Sequence, residues 1–167
     1  MSGLVAVAQT DTLSSALIFE VAARVFKGIT PCTCEPVSPE MAVPMTGWQG
    51  VVDFRGPGIG SVGVRVSTRY AEILATAMAG EDVRAVPAMQ ADAVGETANI
   101  VASSVMALLY GRRRQVTISS PKVTGDIADM PSGAVEGLVQ VGLLLDHEHL
   151  VQVWLLVDTE TAKEGTP

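Results

Sequence analysis

Asp92, Glu96 and Asn99 are two carboxylates and a carboxamide spaced i, i+4 and i+7. On a helix, at about 100° per residue, they fall within roughly 60° of one another on one polar stripe. Carboxylates there offer charge to a cationic partner, and a carboxamide donates and accepts hydrogen bonds at once. Val94, Ala98, Val101, Val105 and Leu108 fall on the opposite side of the same helix. The stripe is therefore the face the core leaves free, and a candidate docking surface.

The rest of the pattern names the elements that must hold this helix. Leu13, Leu17, Ile18, Val21 and Val25 recur at helical spacing and predict a first helix over 13–26, capped by Asp11 or Thr12 and ended by Gly28. Pro31, Pro36, Pro39 and Pro44 break residues 30–44 and leave room for at most a short edge strand. Residues 48–54 and 61–67 alternate β-branched and polar side chains on either side of Gly56, Pro57, Gly58 and Gly60, the pattern of a hairpin. A shorter helix over 68–78 is capped by Ser67 or Thr68 and stopped at Gly80. An acidic turn at Glu81 and Asp82 then leads to Pro87 and the longest helix, from about Ala88 to Tyr110. Beyond it, a strand at 116–119 is halted by Pro121, and residues 125–133 form a loop with Asp126 and Asp129 as turn residues. A last hairpin pairs 137–145 with 151–158 through Asp146, His147, Glu148 and His149. Hairpins make neighbours of consecutive strands, so the expected fold is α+β, a mostly antiparallel sheet with long helices packed on it. One domain over 1–167 accommodates all of it, with residues 1–10 and 159–167 frayed.

Composition narrows the function classes. Hydrophobic residues make up 48% of the 167 residues and aromatics only 4%, so the core is built from Val, Ala, Leu and Met. A formal charge of -7 disfavours nucleic acid as a partner, because phosphate contacts need clustered Lys and Arg. The one basic cluster, Arg112, Arg113 and Arg114, follows Gly111 where cations complement a helix C-terminus. Residues 1–11 carry no basic residue, and no window holds the ~18 uninterrupted apolar residues of a membrane span, so the expected location is the cytoplasm. Cys32 and Cys34 are too close together for the disulfide framework of a secreted fold and read as reduced, small apolar residues, while a metal there would need two further ligands. His147 and His149 would point the same way on a strand and make a metal pair; a polar turn is the simpler reading.

Read with its sequel, the long helix contains D-x3-E-x2-N from Asp92 to Asn99, then 21 residues, then Pro121. This order resembles the signature of the CheC/CheX/FliY aspartyl-phosphate phosphatases of bacterial chemotaxis. The hairpin W-Q-G-V-V-D-F-R-G-P-G-I-G-S-V-G-V-R-V-S, the following helix ending M-A-G, and I-S-S-P-K-V are also similar to CheX segments, so the resemblance covers most of the chain. It implies a CheC/CheX-like fold and removal of the phosphoryl group from the phospho-aspartate of a CheY-like response regulator. Phosphoryl transfer needs mainly positioning and charge neutralisation. Asn99, in the position of the family's Asn, would orient the attacking water beside the phosphoryl group without adding negative charge there. Glu96, in the position of the family's Glu, would pair with the regulator's Lys and fix the docking, and Asp92 would dock at the motif's outer edge. The family's Gly four residues after the Asn is Ser103 here, on the same face and small enough to let a partner approach. The resemblance implies no cofactor of the chain's own, Mg²⁺ being supplied by the regulator. CheC proteins carry a second E-x2-N on the first helix, but Glu20 is followed by Val21, Ala22 and Ala23, so one centre is expected, as in CheX. A homodimer is implied as well. The alternative reading is a non-catalytic module of the same fold that docks a regulator or a flagellar-switch or signalling partner.

Overall fold

The computed structural model describes residues 10–111, 115–125 and 135–158. The readings made for Arg112, Arg113 and Arg114, for Asp126 and Asp129, and for the two termini lie outside the described residues. The elements in order are α1 (Thr10–Ile29), β1 (Cys34–Val37), β2 (Gly47–Arg55), β3 (Ile59–Ser67), α2 (Thr68–Ala79), a 3-10 turn at Glu81–Val83, α3 (Pro87–Tyr110), β4 (Thr117–Ile118), β5 (Lys122–Thr124), β6 (Leu138–Leu145) and β7 (His149–Val157). The strands make one sheet in the order β1-β6-β7-β3-β2-β4, with β5 also on β2. Every pairing is antiparallel, so the fold is α+β with helices on an antiparallel sheet, as expected.

Alternation carries the core. Val52 faces Val62, Val62 faces Leu155 and Val64 faces Val153 across the ladders, so their side chains share one side of the pleat. All of them are buried in one cluster with Ile18, Ala22 and Phe26 of α1, Tyr70 and Leu74 of α2, and Val94, Ala98 and Val101 of α3. At roughly 1.5–3 kcal/mol for each fully buried Val or Leu, this face is the main favourable term of the fold.

Local chemistry sets the ends of the elements. The Ser67 hydroxyl accepts from the Tyr70 backbone N–H at 3.1 Å and caps α2, as expected. Gly80 (φ 98) and Gly111 (φ 73) take left-handed conformations after α2 and α3, where a side chain would be strained. Pro36, which has no N–H to offer a ladder, sits on the edge strand β1.

Four features differ from the sequence reading. Helix α1 runs through Asp11 and Thr12 at its start and past Gly28 to Ile29. One glycine costs a helix about 1 kcal/mol, whereas Pro31 bars helical geometry at the residue before it, so the proline supplies the stop. Strand β5 resumes after Pro121 on the same edge of β2. Proline interrupts the ladder, and Ser119 fills the gap, its N–H donating to the Asp53 carbonyl at 2.8 Å and its Oγ accepting from the Asp53 N–H at 3.0 Å. Only Asp146–Glu148 form the last turn, with Asp146 (φ 51) and His147 (φ 56) both left-handed. His149 is instead the first residue of β7, 8% exposed, with its ring 5.2 Å from that of Tyr70. His147 stands outside beside Glu35 at 3.2 Å, so the two imidazoles do not share a face. The fourth difference concerns α3 and is described with the site.

Helix α3 rides close on the sheet because β2 has a glycine beneath it. A Cβ on Gly50 would lie 3.0 Å from the Ala98 Cβ and 3.2 Å from the Val94 carbonyl oxygen. Gly50→Val is therefore expected to lift α3 and lower the unfolding free energy by about 1–3 kcal/mol in urea titration. Gly28→Ala is the control, since nothing lies within 4 Å of its Cβ and an α1 alanine should instead gain up to about 1 kcal/mol. By length and composition α3 could cross a membrane; half of that window is buried within the fold.

Candidate functional site

The stripe is held by the start of α3. Pro87 opens the helix, and Gln90 ties it down, accepting from Trp48 Nε1 at 3.1 Å and donating through Nε2 to the Arg84 carbonyl at 2.9 Å. Gln90 is buried, so both ends of its amide are satisfied where an unmade bond would cost about 1–3 kcal/mol.

More of α3 is buried than a single apolar face. Ala93, Gly95, Thr97, Ala102 and Met106 are covered in addition to Val94, Ala98, Val101 and Val105. The Thr97 hydroxyl turns onto the helix itself and donates to the Ala93 carbonyl at 2.8 Å. Leu108, expected in the core, is 43% exposed. The packing of the final turn passes instead to Leu109 and to Tyr110, whose ring lies 6.3 Å from that of Phe54 on β2.

Between Gln90 and Ser103 what remains open is one strip. Asp92, Glu96 and Ser103 are exposed and Asn99 is partly exposed. Among the described residues none of the four has a hydrogen bond or ion pair from its side chain. The structure thus brings the sequence-expected residues onto one free face.

A groove of about 320 Å³ runs beside the first half of the strip, lined by Ala91, Asp92, Gly95, Glu96, Pro121 and Val123. Gly95 makes its floor possible. A Cβ there would lie 3.1 Å from Val123 Cγ2 and 3.3 Å from Pro121 Cγ, so the β4–β5 edge meets helix backbone between the two carboxylates. Asn99 and Ser103 continue the strip beyond the groove's lining. Lys122, next to Pro121, pairs with Asp53 (Nζ to Oδ2, 2.9 Å), and among the described residues no cation answers the Asp92 and Glu96 charges. Gly95 is visible in the sequence as a glycine inside a helical pattern, a sign of close backbone approach. Its neighbour Val123 is not, because a strand of three residues has too little alternation to register.

Such a face can anchor a cation and place one amide, the means of docking and positioning rather than of nucleophilic attack. The family model for the chemotaxis phosphatase CheX matches residues 48–128, which run from the β2–β3 hairpin through α3 and past β5. Over these residues the chain is CheX-like. All of the strip and all of the groove lie within the matched residues. No curated protein matches the chain in sequence. Solved structures extend the likeness in fold. CheX from Desulfovibrio desulfuricans is 18% identical, with 86% of this chain and 98% of that chain covered at a TM-score of 0.67. A chain of the CheX–CheY–BeF3–Mg²⁺ complex from Borrelia burgdorferi is 17% identical, with 86% of this chain and 97% of that chain covered at a TM-score of 0.67. FliY from Thermotoga maritima is 17% identical over 92% and 93% at a TM-score of 0.51.

Proposed function

We propose that the chain is a cytoplasmic phosphatase that removes the phosphoryl group from the phospho-aspartate of a CheY-like response regulator. The observation that carries the reading is the strip itself, Asp92, Glu96 and Asn99, unpaired among the described residues and presented from a buried helix beside a groove lined by Pro121. The CheX family match and the existence of a CheX–CheY complex for a protein of the same fold support it.

In this reading Glu96 pairs with the regulator's Lys and sets the register of docking, while Asp92 supports it from the groove's edge. Asn99 then stands over the phosphoryl group and accepts from the attacking water, so that water oxygen forms its bond to phosphorus as the bond to the aspartyl oxygen breaks. The products are the free aspartate and inorganic phosphate. Mg²⁺ enters as the regulator's ion. Because α3 is packed on three sides, the backbone that carries Asn99 is fixed before the partner arrives, and only its side chain is left to order on binding.

Ser103 favours a second reading, docking without turnover, since it places a hydroxyl where the family has no side chain. A phosphotransfer screen separates the two. Each phosphorylated regulator of the source organism is incubated with the chain, and one of them is expected to lose label faster than it does alone. Binding without faster decay selects the docking module, and neither for any regulator removes both readings. A homodimer belongs to the same proposal and is expected in size-exclusion chromatography with light scattering; a monomer at all concentrations counts against it.

A further inference from the structure

We propose that Cys32 and Cys34 form a reversible dithiol–disulfide site at the edge of the sheet, oxidised by exchange with a low-molecular-weight disulfide. Their Sγ atoms stand 3.8 Å apart, and both residues are partly exposed where they pack against the rim of the core. A disulfide is about 2.05 Å long, so closure brings the sulfurs together by about 1.8 Å.

The backbone between them is clamped. The Thr33 N–H donates to Asp146 Oδ1 at 2.8 Å, its hydroxyl donates to the same oxygen at 3.3 Å, and its carbonyl accepts from the Asp146 N–H at 3.1 Å. Three hydrogen bonds thus hold the intervening residue to the β6–β7 turn, and the two sulfurs are left together beside α1, where the Ala23 carbonyl lies 3.9 Å from Cys34 Sγ. A second thiol held in place at this distance outcompetes thiols free in solution.

Burial pushes the Cys34 thiol up to about 12, and the charge and hydrogen bond of Cys32 add to the effect. Cys34 is therefore a thiol at neutral pH, and Cys32 makes the first attack. The Cys32 sulfur bonds to one sulfur of the external disulfide and expels the other as a thiol. With Cys32 capped, its charge and its hydrogen bond no longer oppose ionisation of Cys34. The Cys34 sulfur then attacks the Cys32 sulfur and expels the second thiol. Two electrons and two protons pass from the pair to the two thiols released, so no other oxidant is needed. A ring closed over one residue gains little from chain entropy, which leaves it easy to reduce and makes the site reversible.

Strand β1 lies at one edge of the sheet and β4 at the other, so this site is separate from the α3 groove and does not rest on the proposed phosphatase activity. The test treats the native chain with glutathione disulfide, quenches with acid and reads intact mass. Wild type is expected to lose the mass of two hydrogens, retain no adduct, and regain its starting mass with dithiothreitol. Cys34→Ser should stop as a single glutathione adduct on Cys32, and in Cys32→Ser the more buried Cys34 should take up glutathione more slowly than Cys32 does in Cys34→Ser. Asp146→Ala should slow ring closure about tenfold relative to the first attack by loosening the clamp. Stable adducts on wild type, or no mass change under conditions that oxidise the urea-unfolded chain, overturns the proposal.

Discussion

Asn99→Ala is expected to leave folding and docking intact and to lower the catalysed dephosphorylation of the cognate regulator by about 10²–10³-fold, equivalent to roughly 2.7–4 kcal/mol of transition-state stabilisation. The folding half of this expectation follows from the side chain's surroundings: Asn99 is partly exposed and its amide has no partner among the described residues. No internal hydrogen bond is lost, and alanine in a helix is favoured over asparagine by up to about 0.7 kcal/mol. The catalytic half follows from chemistry. An amide accepts from water through its oxygen and donates through its nitrogen, and alanine does neither. Asn99→Asp separates positioning from polarity: it keeps the shape but adds an anion beside an anionic transition state, and is expected to be as slow as the alanine variant. Thermal unfolding, binding of the regulator and release of phosphate, measured on the same samples, check the three parts.

Glu96→Lys has the other large expected effect, and on a different quantity. It is predicted to weaken regulator binding by about 100-fold or more, since reversing one member of a close charge pair costs several kcal/mol and each 1.4 kcal/mol is tenfold. Glu96 is exposed and has no ion pair among the described residues, so none of those contacts is lost when the charge is reversed. Turnover at saturating regulator should recover in part, because Asn99 is untouched. Added salt should narrow the gap between wild type and variant, since exposed charges are screened within about 8–10 Å at physiological ionic strength. Titration calorimetry at two salt concentrations tests this, and equal affinities for wild type and variant would remove Glu96 from the docking contact.

Much of this architecture is legible in the letters because its elements are long and regular. The 3.6-residue recurrence of Leu17, Val21 and Val25, and the alternation through Val62, Val64 and Val66, survive into α1 and β3 almost unchanged. What escapes is short or depends on packing. β5 has three residues and follows a proline, so neither length nor period announces it. His149 has the polarity of a turn residue, yet the ring of Tyr70 receives it on the strand. Leu108 lies within the helical period of the core side, but its burial was decided by which neighbour, Leu109 or Tyr110, reaches Phe54 and the sheet.

The candidate site divides in the same way. Spacing alone puts Asp92, Glu96 and Asn99 on one stripe, because the angle per residue of a helix is fixed. That the stripe is the open side of the helix between Gln90 and Ser103 depends on β2, α2 and β5, which no local pattern reveals. The groove is further from view, since Pro121 and Val123 meet Gly95 across more than twenty residues of chain. Family resemblance supplied the proline's relevance; the close approach at Gly95 supplies a physical reason for it. Ser103 stays exposed on the same strip, so the partner must accommodate its hydroxyl.

The most direct measurement is the rate of phosphate release from the phosphorylated regulator at increasing concentrations of the chain, with Asn99→Ala in parallel. Saturable acceleration by wild type, with the variant binding equally well and leaving the regulator at its own rate of decay, is the predicted result. Identical decay with wild type, with the variant and with neither would contradict the assignment of a phosphatase to this strip.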